Sequence, residues 1–325
     1  MSDVVVVGSF NVDHVWQCTR LPTAGATLAG EYRSGPGGKG FNQAVAAARA
    51  GARTTFVCAL GDDAGGQGAR ALAAADHIDL RAADSTQATG TAGIFVDAQG
   101  RNSIVIGAGA NAALSVAFIA AQAGAIAASQ VLLAQLESPL DAVVAALAQA
   151  RAANATTVLN PAPANAMSTP ALLALADILT PNESEFAALL ARHADLHIDA
   201  DAVAGSGDDD LQALARRLLP NGSVLLTLGA HGMFVSHPPS RTRGDDATHY
   251  RLPAAPAAVV DTTGAGDACN GALAASLALQ PQAAFVAHAR FANRYAALST
   301  EHRGAATAMP LRADVHARFD ADMAH

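Results

Sequence analysis

The sequence predicts an α/β protein with a doubly wound, mostly parallel sheet flanked by helices and a small β-sheet lid beside it. Short β-branched runs alternate with longer stretches rich in Ala and Leu. The runs are apolar throughout, as in strands that helices cover on both faces. The lid is predicted at residues 12–36 and 89–107, where strand-like segments and turns follow one another without a helical stretch.

Each predicted strand of the main sheet is a short apolar segment that ends in polar or turn residues. These segments are residues 4–10, 54–60, 131–137, 156–162, 177–183 and 224–230. Helices are predicted at residues 41–51, 65–75, 114–129, 139–153, 170–176, 183–192, 210–219, 266–279 and 282–299. This alternation is typical of a parallel sheet, and because no linker interrupts it, we expect one domain over residues 1–325. Two polar stretches, 205–210 and 237–249, are predicted surface loops.

The composition of the 325 residues excludes several classes of protein. Apolar residues make up 51% and charged residues 15%, so the chain can fill a large core. A net charge of −8 without a basic patch argues against nucleic-acid binding. No apolar run is long enough for a membrane span, and the first residues do not form a signal peptide. Because Cys18, Cys58 and Cys269 are odd in number and far apart, we expect a reducing, cytoplasmic location.

The first glycine-rich motif, "GPGGKGFNQAVAAARAGA" at residues 35–52, opens a predicted helix. Gly35, Gly37 and Gly40 have the G-x-G-x-x-G spacing of dinucleotide-binding loops. Such loops follow the first strand of the fold, however, whereas this motif follows the first segment of the predicted lid. A Walker A loop is excluded because Lys39 is followed by Gly40 rather than by Ser or Thr. Two interpretations remain: a flexible turn before a helix, or backbone close to a small ligand, with Lys39 and Asn42 as polar contacts.

The second motif, "DTTGAGDACNGA" at residues 261–272, places Asp267 directly after a Gly-x-Gly turn at the start of a helix. Gly264 and Gly266 allow successive N–H groups to converge, and convergent donors stabilise the charge that develops on a transferring phosphoryl group. Phosphoryl transfer also needs a group that accepts the proton of the attacking hydroxyl. Asp267 is placed for that role, although a carboxylate at this position can also be a simple helix cap.

Both motifs resemble the two signatures of the ribokinase-type (phosphofructokinase-B-type) carbohydrate kinases. Eight further segments, among them "GSFNVDH", "QLESPL", "TPNESE" and "TLGAHG", are similar to that family in the same order over nearly the whole chain. The resemblance implies a ribokinase-like fold and ATP-dependent phosphorylation of a sugar. "NVDH" and "QLESP" favour D-ribose, phosphorylated at O5 to D-ribose 5-phosphate with release of ADP. The alternative is another substrate in the same family: a nucleoside, 2-deoxyribose or fructose.

The resemblance also implies a role for each matching residue. Asp267 would be the catalytic base, and Gly264, Ala265 and Gly266 would surround the transferred phosphate. The sugar contacts would be Asn11, Asp13, Gly38, Lys39, Gly40, Asn42, Glu137 and Asp267 itself. The nucleotide contacts would be Asn182, Thr227, Gly229, Ala230, Gly232, Gly266 and Asn293.

Metal ions and a partner subunit follow from the same resemblance. Mg²⁺ would accompany ATP, with Glu185 as its acidic residue, and K⁺ would bind beside the phosphate site. The positions that match the K⁺ loop are Asp261, Thr263, Ser299, His302, Gly304 and Ala308. Ala308 departs from the family, which usually has a Ser there, and so removes one side-chain oxygen. The lid strands of the family pair between subunits, which implies a homodimer, and unpaired lid edges favour the same pairing.

Two other classes of function explain less of the sequence. A nicotinamide-dependent dehydrogenase would use the glycines of residues 35–40, but it leaves "TGAGD" and the lid without a role. A sugar-binding protein without catalysis would be marked by the loss of Asp267, which is present.

Five other positions are assigned to structure or left open. His193 and His197 have helical i, i+4 spacing but lack the Glu of a zinc-protease motif, so we interpret them as surface histidines. Cys269 is predicted to be a small packed residue. For Trp16 and Phe41, the sugar site and lid or core packing remain alternatives.

Overall fold

The computed structural model describes residues 3–319 of the chain. Its strands are β1 (Val4–Val7), β2 (Asn11–Cys18), β3 (Gly30–Gly37), β4 (Thr54–Gly61), β5 (Asp79–Ser85), β6 (Gly90–Val96), β7 (Asn102–Gly107), β8 (Val131–Ala134), β9 (Thr156–Leu159), β10 (Ile178–Leu179), β11 (Ser223–Thr227), β12 (Met233–Ser236) and β13 (His249–Leu252). Within the described residues they form a sheet of nine strands and a separate sheet of four.

Helices connect most strands of the larger sheet. They are α1 (Lys39–Arg49), α2 (Ala64–Ala75), α3 (Val116–Ala121), α4 (Ala123–Ala127), α5 (Leu140–Ala152), α6 (Pro170–Leu173), α7 (Glu183–Ala194), α8 (Ala200–Val203), α9 (Asp208–Leu218), α10 (Ala265–Leu279), α11 (Phe285–Ser299) and α12 (Arg312–Phe319). Short 3₁₀ turns at Gly109–Ala113, Gly229–His231 and Ala306–Ala308 complete the helical structure.

The nine-stranded sheet has the order β13-β12-β11-β10-β9-β8-β1-β4-β5, and its strands run parallel except β12, which is antiparallel to both of its neighbours, β11 and β13. Helices cover both of its faces, which is why β1 consists of four fully buried valines. Val4 and Val6 pack into the core beneath α1, α10 and α11, whereas Val5 and Val7 pack into the core beneath α5, α7 and α9. The sheet therefore separates two cores, and the carboxyl ends of its parallel strands meet at one edge.

The four-stranded sheet, which we call the lid, has the order β3-β2-β6-β7. Its strand β2 starts only four residues after β1 ends, so the lid begins at the carboxyl edge of the main sheet. β7 is exposed along its whole length, with Ile104, Val105 and Ile106 at 49%, 68% and 49% exposure. A ligand bound at the carboxyl edge would therefore lie between the main sheet and the lid.

The predicted fold class is confirmed, and all six strands predicted for the main sheet are present with shifted ends. The helix predicted at 114–129 is two short helices, α3 and α4. β5, β12, β13, α8 and α12 were not predicted. Their segments are short or polar, and β5 and β13 lie at the sheet edges, where strands need no apolar run.

Two loop predictions were only partly right, although most residues of the two stretches taken together are loop residues at the surface. Within residues 205–210, Asp208 to Asp210 form the first turn of α9, where carboxylates are stabilised by the helix dipole. Within residues 237–249, the side chains of His237 and Asp245 are buried and hydrogen-bonded to each other at 3.1 Å. Of the helices within residues 3–319, none has both the length and the apolar character that crossing a membrane requires.

Candidate active site

A cleft of about 160 Å³ lies at the carboxyl edge of the main sheet, where ligands of open α/β sheets bind. Residues at or just after the ends of β9, β10 and β11 line it together with residues at the starts of α1 and α10. The lining residues are Lys39, Asn160, Ala162, Thr180, Asn182, Glu185, Thr227, Gly264, Gly266, Asp267 and Asn270. Seven residues that the sequence predicted from separate motifs thus share one cleft.

The turn at the start of α10 contains two glycines, Gly264 and Gly266, of which the first is required by the fold and the second leaves open space in the cleft. Gly264 has φ of +77°, and a Cβ there would lie 2.8 Å from the Cβ of Ala305, so the fold requires Gly. A Cβ on Gly266 would meet no heavy atom within 4 Å, and Gly266 lines the cleft. The Ala265 N–H donates to the carbonyl of Thr262 at 3.2 Å, so it already has a partner within the turn. The open space over Gly266, at a helix N-terminus, is where an anion is stabilised.

Asp267 lies in the first turn of α10 and is only 7% exposed. Its Oδ2 accepts a hydrogen bond from Asn42 Nδ2 and its Oδ1 accepts one from Gln43 Nε2, both at 2.9 Å. Burial raises the pKa of Asp267 above its ordinary value, although Lys39 and the two amides oppose the shift. The carboxylate is therefore held in one orientation and is a stronger base than an exposed Asp.

Gln43 is a site residue that sequence reasoning missed. Its Nε2 also donates to Asn160 Oδ1 at 3.0 Å, and its Oε1 accepts from Gln135 Nε2 at 2.6 Å. Gln43 is fully buried, so these contacts fix its amide. The signal that could have revealed it is its place in the first glycine motif, next to Asn42, on a helix whose other residues are mostly apolar.

The predicted sugar contacts lie around Lys39 and the start of the lid. Asn42 Oδ1 is buried, and none of the described residues gives it a hydrogen-bond partner. Glu137 Oε2 accepts from Ser9 Oγ at 2.6 Å and from the Lys39 N–H at 3.1 Å. Asn11 Oδ1 instead accepts from Asn111 Nδ2 at 2.8 Å, so this oxygen of Asn11 is already used within the protein.

Two glycines of the first motif let the chain approach closely here. Gly38 has φ of +85°, and a Cβ there would lie 2.7 Å from the Asn11 amide. A Cβ on Gly40 would lie 2.5 Å from the backbone nitrogen of Ser9. Both positions therefore require Gly for packing, which places α1 directly against the segment that joins β1 to the lid.

Charge is concentrated around this end of the cleft. Burial, together with Glu137 and Asp267, raises the pKa of Asp13 to about 7. Burial alone would lower the pKa of Lys39, but Asp267, Glu137 and Glu185 raise it above its ordinary value. Lys39 therefore stays protonated, and the carboxylates around it outnumber it. Such carboxylates can accept hydrogen bonds from hydroxyl groups and can bind cations.

The other end of the cleft is formed by Asn182, Glu185 and Thr227. Asn182 Oδ1 accepts from the Glu185 N–H at 2.8 Å and Glu185 Oε2 accepts from the Asn182 N–H at 2.9 Å, which is a capping box at the start of α7. A β-bridge joins Asn182 to Thr227, so the two predicted nucleotide contacts are adjacent. Burial raises the pKa of Glu185.

The remaining predicted nucleotide contacts lie outside the set of residues that line the cleft. Gly229 and Ala230 belong to the 3₁₀ turn that follows β11. Gly232 has φ of +87°, and a Cβ there would lie 2.1 Å from the Leu252 carbonyl, so the contact with β13 requires Gly. Asn293 Nδ2 donates to the Pro253 carbonyl at 2.7 Å and holds the segment after β13.

Comparison with known proteins assigns this site to a family. The family model described as "pfkB family carbohydrate kinase" matches residues 1–312. The chain belongs to the pfkB family of carbohydrate kinases. The family resemblance seen in the two glycine motifs is thereby confirmed, as is the prediction of a phosphotransferase that uses ATP.

Several relatives of this pfkB-family kinase carry names that specify a sugar. The ribokinase of Mus musculus is 37% identical over 96% of this chain and 93% of that protein. A bifunctional ribokinase/ribose-5-phosphate isomerase A of Fructilactobacillus sanfranciscensis is 38% identical over 96% of this chain, which spans only 55% of that longer protein. A deoxyribokinase of Salmonella typhi is 32% identical over 84% of each chain.

Solved structures show the same fold. The ribokinase of Giardia lamblia is 27% identical, with a TM-score of 0.87 over 98% of this chain and 99% of that one. An Arabidopsis thaliana ribokinase complexed with ribose and ATP is 29% identical, with a TM-score of 0.80 over 97% of both chains.

The loop predicted to bind K⁺ in this pfkB-family kinase lies beside the glycine turn. Asp261 Oδ1 accepts from the Thr263 N–H at 2.9 Å and Asp261 Oδ2 accepts from the Gly304 N–H at 3.0 Å. Gly304 has φ of +99°. Ser299 Oγ donates to the Ala296 carbonyl, and Ala308 lies buried in the last 3₁₀ turn. Asp261 therefore ties together the two segments that contain the predicted ligands.

Side chains that typically bind transition metals are not grouped in this kinase. Over residues 3–319, His, Cys, Asp and Glu form no cluster of three or more that could hold a metal ion. His302 is exposed. A cation site here would therefore depend on backbone carbonyls and single carboxylates.

Of the five remaining positions, His197 is exposed, as predicted, and the other four have structural roles. Cys269 is buried as predicted, and burial raises the pKa of its thiol to about 12, so it is no nucleophile. His193 Nε2 is hydrogen-bonded to Ser168 Oγ at 2.8 Å. Phe41 packs in the core with its ring centroid 5.1 Å from that of Phe10, whereas Trp16 stacks on Phe95 within the lid.

Proposed function

We propose that this chain transfers the γ-phosphoryl group of ATP to O5 of D-ribose, giving D-ribose 5-phosphate and ADP. The observation that carries the proposal is the environment of Asp267, a buried and oriented carboxylate directly after the Gly264–Gly266 turn. Lys39, Asn182 and Thr227 line the same cleft. Family membership supports transfer to a carbohydrate. The named ribokinases, and the relative complexed with ribose and ATP, support ribose as that carbohydrate.

The proposed reaction uses Asp267 as the general base. Its carboxylate accepts the O5 proton as the bond between O5 and the γ-phosphorus forms. The bond between that phosphorus and the bridging oxygen breaks, and its electron pair leaves with ADP. Amides of the glycine turn and the protonated Lys39 stabilise the charge on the transferring group. Asn42 Oδ1 and the carboxylates of Asp13 and Glu137 accept hydrogen bonds from the other sugar hydroxyls.

We also propose that Mg²⁺ and K⁺ support the reaction. Glu185 lines the cleft, and its Oε2 accepts a hydrogen bond from the Asn182 N–H. Its other carboxylate oxygen, Oε1, suits Mg²⁺ or a water molecule bound to Mg²⁺. Mg²⁺ would neutralise charge on the ATP phosphates. For K⁺, one carboxylate and several backbone carbonyls form a suitable donor set, and the Asp261 segment provides it next to the turn. Ala308 contributes no side-chain oxygen to that set.

A homodimer formed through the lid is part of the proposal. Both faces of β7 are exposed in the single chain, because Ile104 and Val105 point to opposite sides and are 49% and 68% exposed. β3 and β7 are also the two edges of the lid sheet. Apolar side chains on an unpaired edge strand favour pairing with a second copy. For the cellular location we propose the cytoplasm, since all three cysteines are free thiols.

The test is release of ADP from ATP with D-ribose, 2-deoxyribose, fructose and a nucleoside, each with and without K⁺. We expect the highest kcat/KM with ribose, and stimulation by K⁺. Asp267→Asn should reduce kcat by about 10²-fold or more while ATP still binds, because only the proton acceptor is lost. An active Asn variant would mean that Asp267 is only a helix cap.

The second candidate substrate is 2-deoxyribose, since a deoxyribokinase is among the relatives. It lacks the 2-hydroxyl, so a site built to bind ribose would leave a buried acceptor such as Asn42 Oδ1 without a donor. A buried polar group that loses its partner costs about 1–3 kcal/mol, so we expect 2-deoxyribose to be about tenfold or more poorer than ribose. Higher kcat/KM with 2-deoxyribose would reverse the assignment.

A further inference from the structure

An arginine-lined cleft lies at the amino edge of the main sheet, the edge opposite the candidate active site. Its volume is about 460 Å³. It is lined by the last turn of α5, by α6, by the end of α9 with the following loop, and by Asp177, the residue before β10. Arg151, Arg217 and Arg241 contribute the charged side chains, and His193 lies at one side.

Positive charge exceeds negative charge in this cleft. Asp177 is its only carboxylate among the described lining residues, and three guanidinium groups approach it: Arg241 at 2.9 Å, Arg243 at 3.8 Å and Arg151 at 4.0 Å. Burial alone would raise the pKa of Asp177, but the Thr157 N–H and the arginines lower it, so the carboxylate is ionised. One negative charge thus faces several positive ones, in a chain whose net charge is −8.

The arginines keep donors that a ligand can use. A guanidinium has five N–H groups in a planar fork. Arg241 donates one to Asp177, and Arg217 donates one to the Ala194 carbonyl at 3.3 Å. The side chains of Arg241 and Arg151 are 52% and 44% exposed, so solvent and solutes reach them.

The loop that carries Arg241 and Arg243 is anchored before any ligand binds. His237 is fully buried, with Nδ1 2.8 Å from Ser223 Oγ and Nε2 3.1 Å from Asp245 Oδ2. Asp245 also accepts from Tyr250 Oη and from the Val286 N–H. Because these contacts hold the loop, the arginines are positioned in advance and binding orders fewer groups.

We propose that this cleft binds a small molecule that bears a phosphate group and at least two negative charges. Planar guanidinium forks match the oxygens of phosphate and bind them through paired hydrogen bonds. The volume is within the range of sites for small organic ligands. Inorganic phosphate, a sugar phosphate and a nucleotide share this chemistry. The site is separate from the candidate active site, because Asp177 precedes β10 at the amino edge of the sheet, whereas Asn182 follows β10 at the carboxyl edge.

Isothermal titration calorimetry tests the proposal, with the active cleft filled by ribose and a non-hydrolysable ATP analogue. The probes are inorganic phosphate, D-ribose 5-phosphate, AMP and citrate. We expect a phosphate-bearing probe to bind more tightly than citrate, and its affinity to fall with added salt because the contacts are ionic. Which of the three phosphates binds best identifies the source of the ligand. The absence of binding by all three, or equal binding of citrate, would overturn the proposal.

Variants locate the binding. Arg217→Gln and Arg241→Gln should each weaken the affinity about tenfold, since a hydrogen bond to a charged group contributes about 1.5–3 kcal/mol. Asp177→Asn should strengthen it, because the carboxylate competes for the same guanidinium groups, and a damaged fold would not have that effect. Arg70→Gln is the control, since Arg70 pairs with the exposed Asp84 elsewhere. Unchanged affinity in both arginine variants would place the ligand elsewhere, including in an active cleft that the analogue failed to fill.

Discussion

At position 266 the absence of a side chain matters for the reaction rather than for the fold. Gly266 lies in the first turn of α10 and a Cβ there would meet no protein atom within 4 Å. Ala is a better helix former than Gly by about 1 kcal/mol, so Gly266→Ala should unfold at an equal or higher urea concentration. Its methyl group would occupy the space proposed for the transferred phosphate, so we expect kcat to fall by about tenfold or more.

Gly264→Ala is the matched control for the stability part of that prediction, because the same substitution two residues earlier should lower the stability. Gly264 has φ of +77°, and a Cβ would contact Ala305 at 2.8 Å. We expect this variant to lose about 1–3 kcal/mol of unfolding free energy because a non-Gly residue is strained there. Full activity of Gly266→Ala would show that phosphate does not pass over this residue.

Gln43 is predicted to be a positioning residue that acts through Asp267. Gln43→Leu removes the hydrogen bond to Asp267 Oδ1, one of the contacts that lower the pKa of Asp267. The pKa should therefore rise further, so the acid limb of the pH–rate profile should move to higher pH. We expect kcat to fall about tenfold, as for the loss of a hydrogen bond to a charged group.

Gln122→Leu is a suitable comparison for that measurement, since Gln122 is also a buried glutamine but lies between α3 and α4. Its pH–rate profile should match that of the unmodified enzyme. A Gln43→Leu profile that is lower at every pH without moving along the pH axis would indicate a structural role only.

At the scale of an element, the lid edge strand β7 is the part whose state depends on a second chain. Val105→Asp would place a charge on the proposed interface, at a side chain that is 68% exposed in the single chain. We expect the variant to sediment as a monomer, because burying an unpaired carboxylate is costly. Val116→Asp, on α3 and 42% exposed, is the control and should leave the mass unchanged. If both variants and the unmodified chain have the same mass, the lid does not form the dimer.

The strands that could be predicted from the sequence are those whose residues are mostly apolar and buried. β4 was predicted to within one residue because all its positions are buried. β13, with the sequence "HYRL", was missed because an edge strand beside polar loops carries no apolar run. The many Pro, Arg and Asp residues of the loop at 237–249 predict exposure, yet His237 and Asp245 are hydrogen-bonded to each other and can be buried.

At the scale of the whole molecule, a carboxyl group of the site contributes to the way in which stability depends on pH. Burial, together with Glu137 and Asp267, raises the pKa of Asp13 to about 7 from 3.8. A carboxyl group with a raised pKa in the folded state destabilises the fold when it ionises. The ligand-free enzyme should therefore lose stability as the pH rises from about 4 to about 7.

Asp13→Asn should remove part of this loss. In urea unfolding the variant should be more stable than the unmodified chain at about pH 8, and the difference should shrink towards about pH 5. Asp84→Asn, at a side chain that is 90% exposed, is the control for replacing a carboxylate outside the site. A difference that is constant with pH would mean that Asp13 is ionised at its ordinary value.

The sequence by itself determined the alternation of strands and helices, the two glycine turns and the place of Asp267 at the start of α10. These features depend on local backbone preferences and on spacings within a few residues. Only the tertiary structure decided which side chains hold Asp267, since Gln43 lies 224 residues away in the chain and itself bonds to Gln135. The arginine-lined cleft was likewise invisible, because Arg151, Asp177 and Arg241 become neighbours only when the chain folds. Local sequence patterns reflect the backbone preferences of a single segment. Contacts between distant segments form only when the folded sheet brings those segments together.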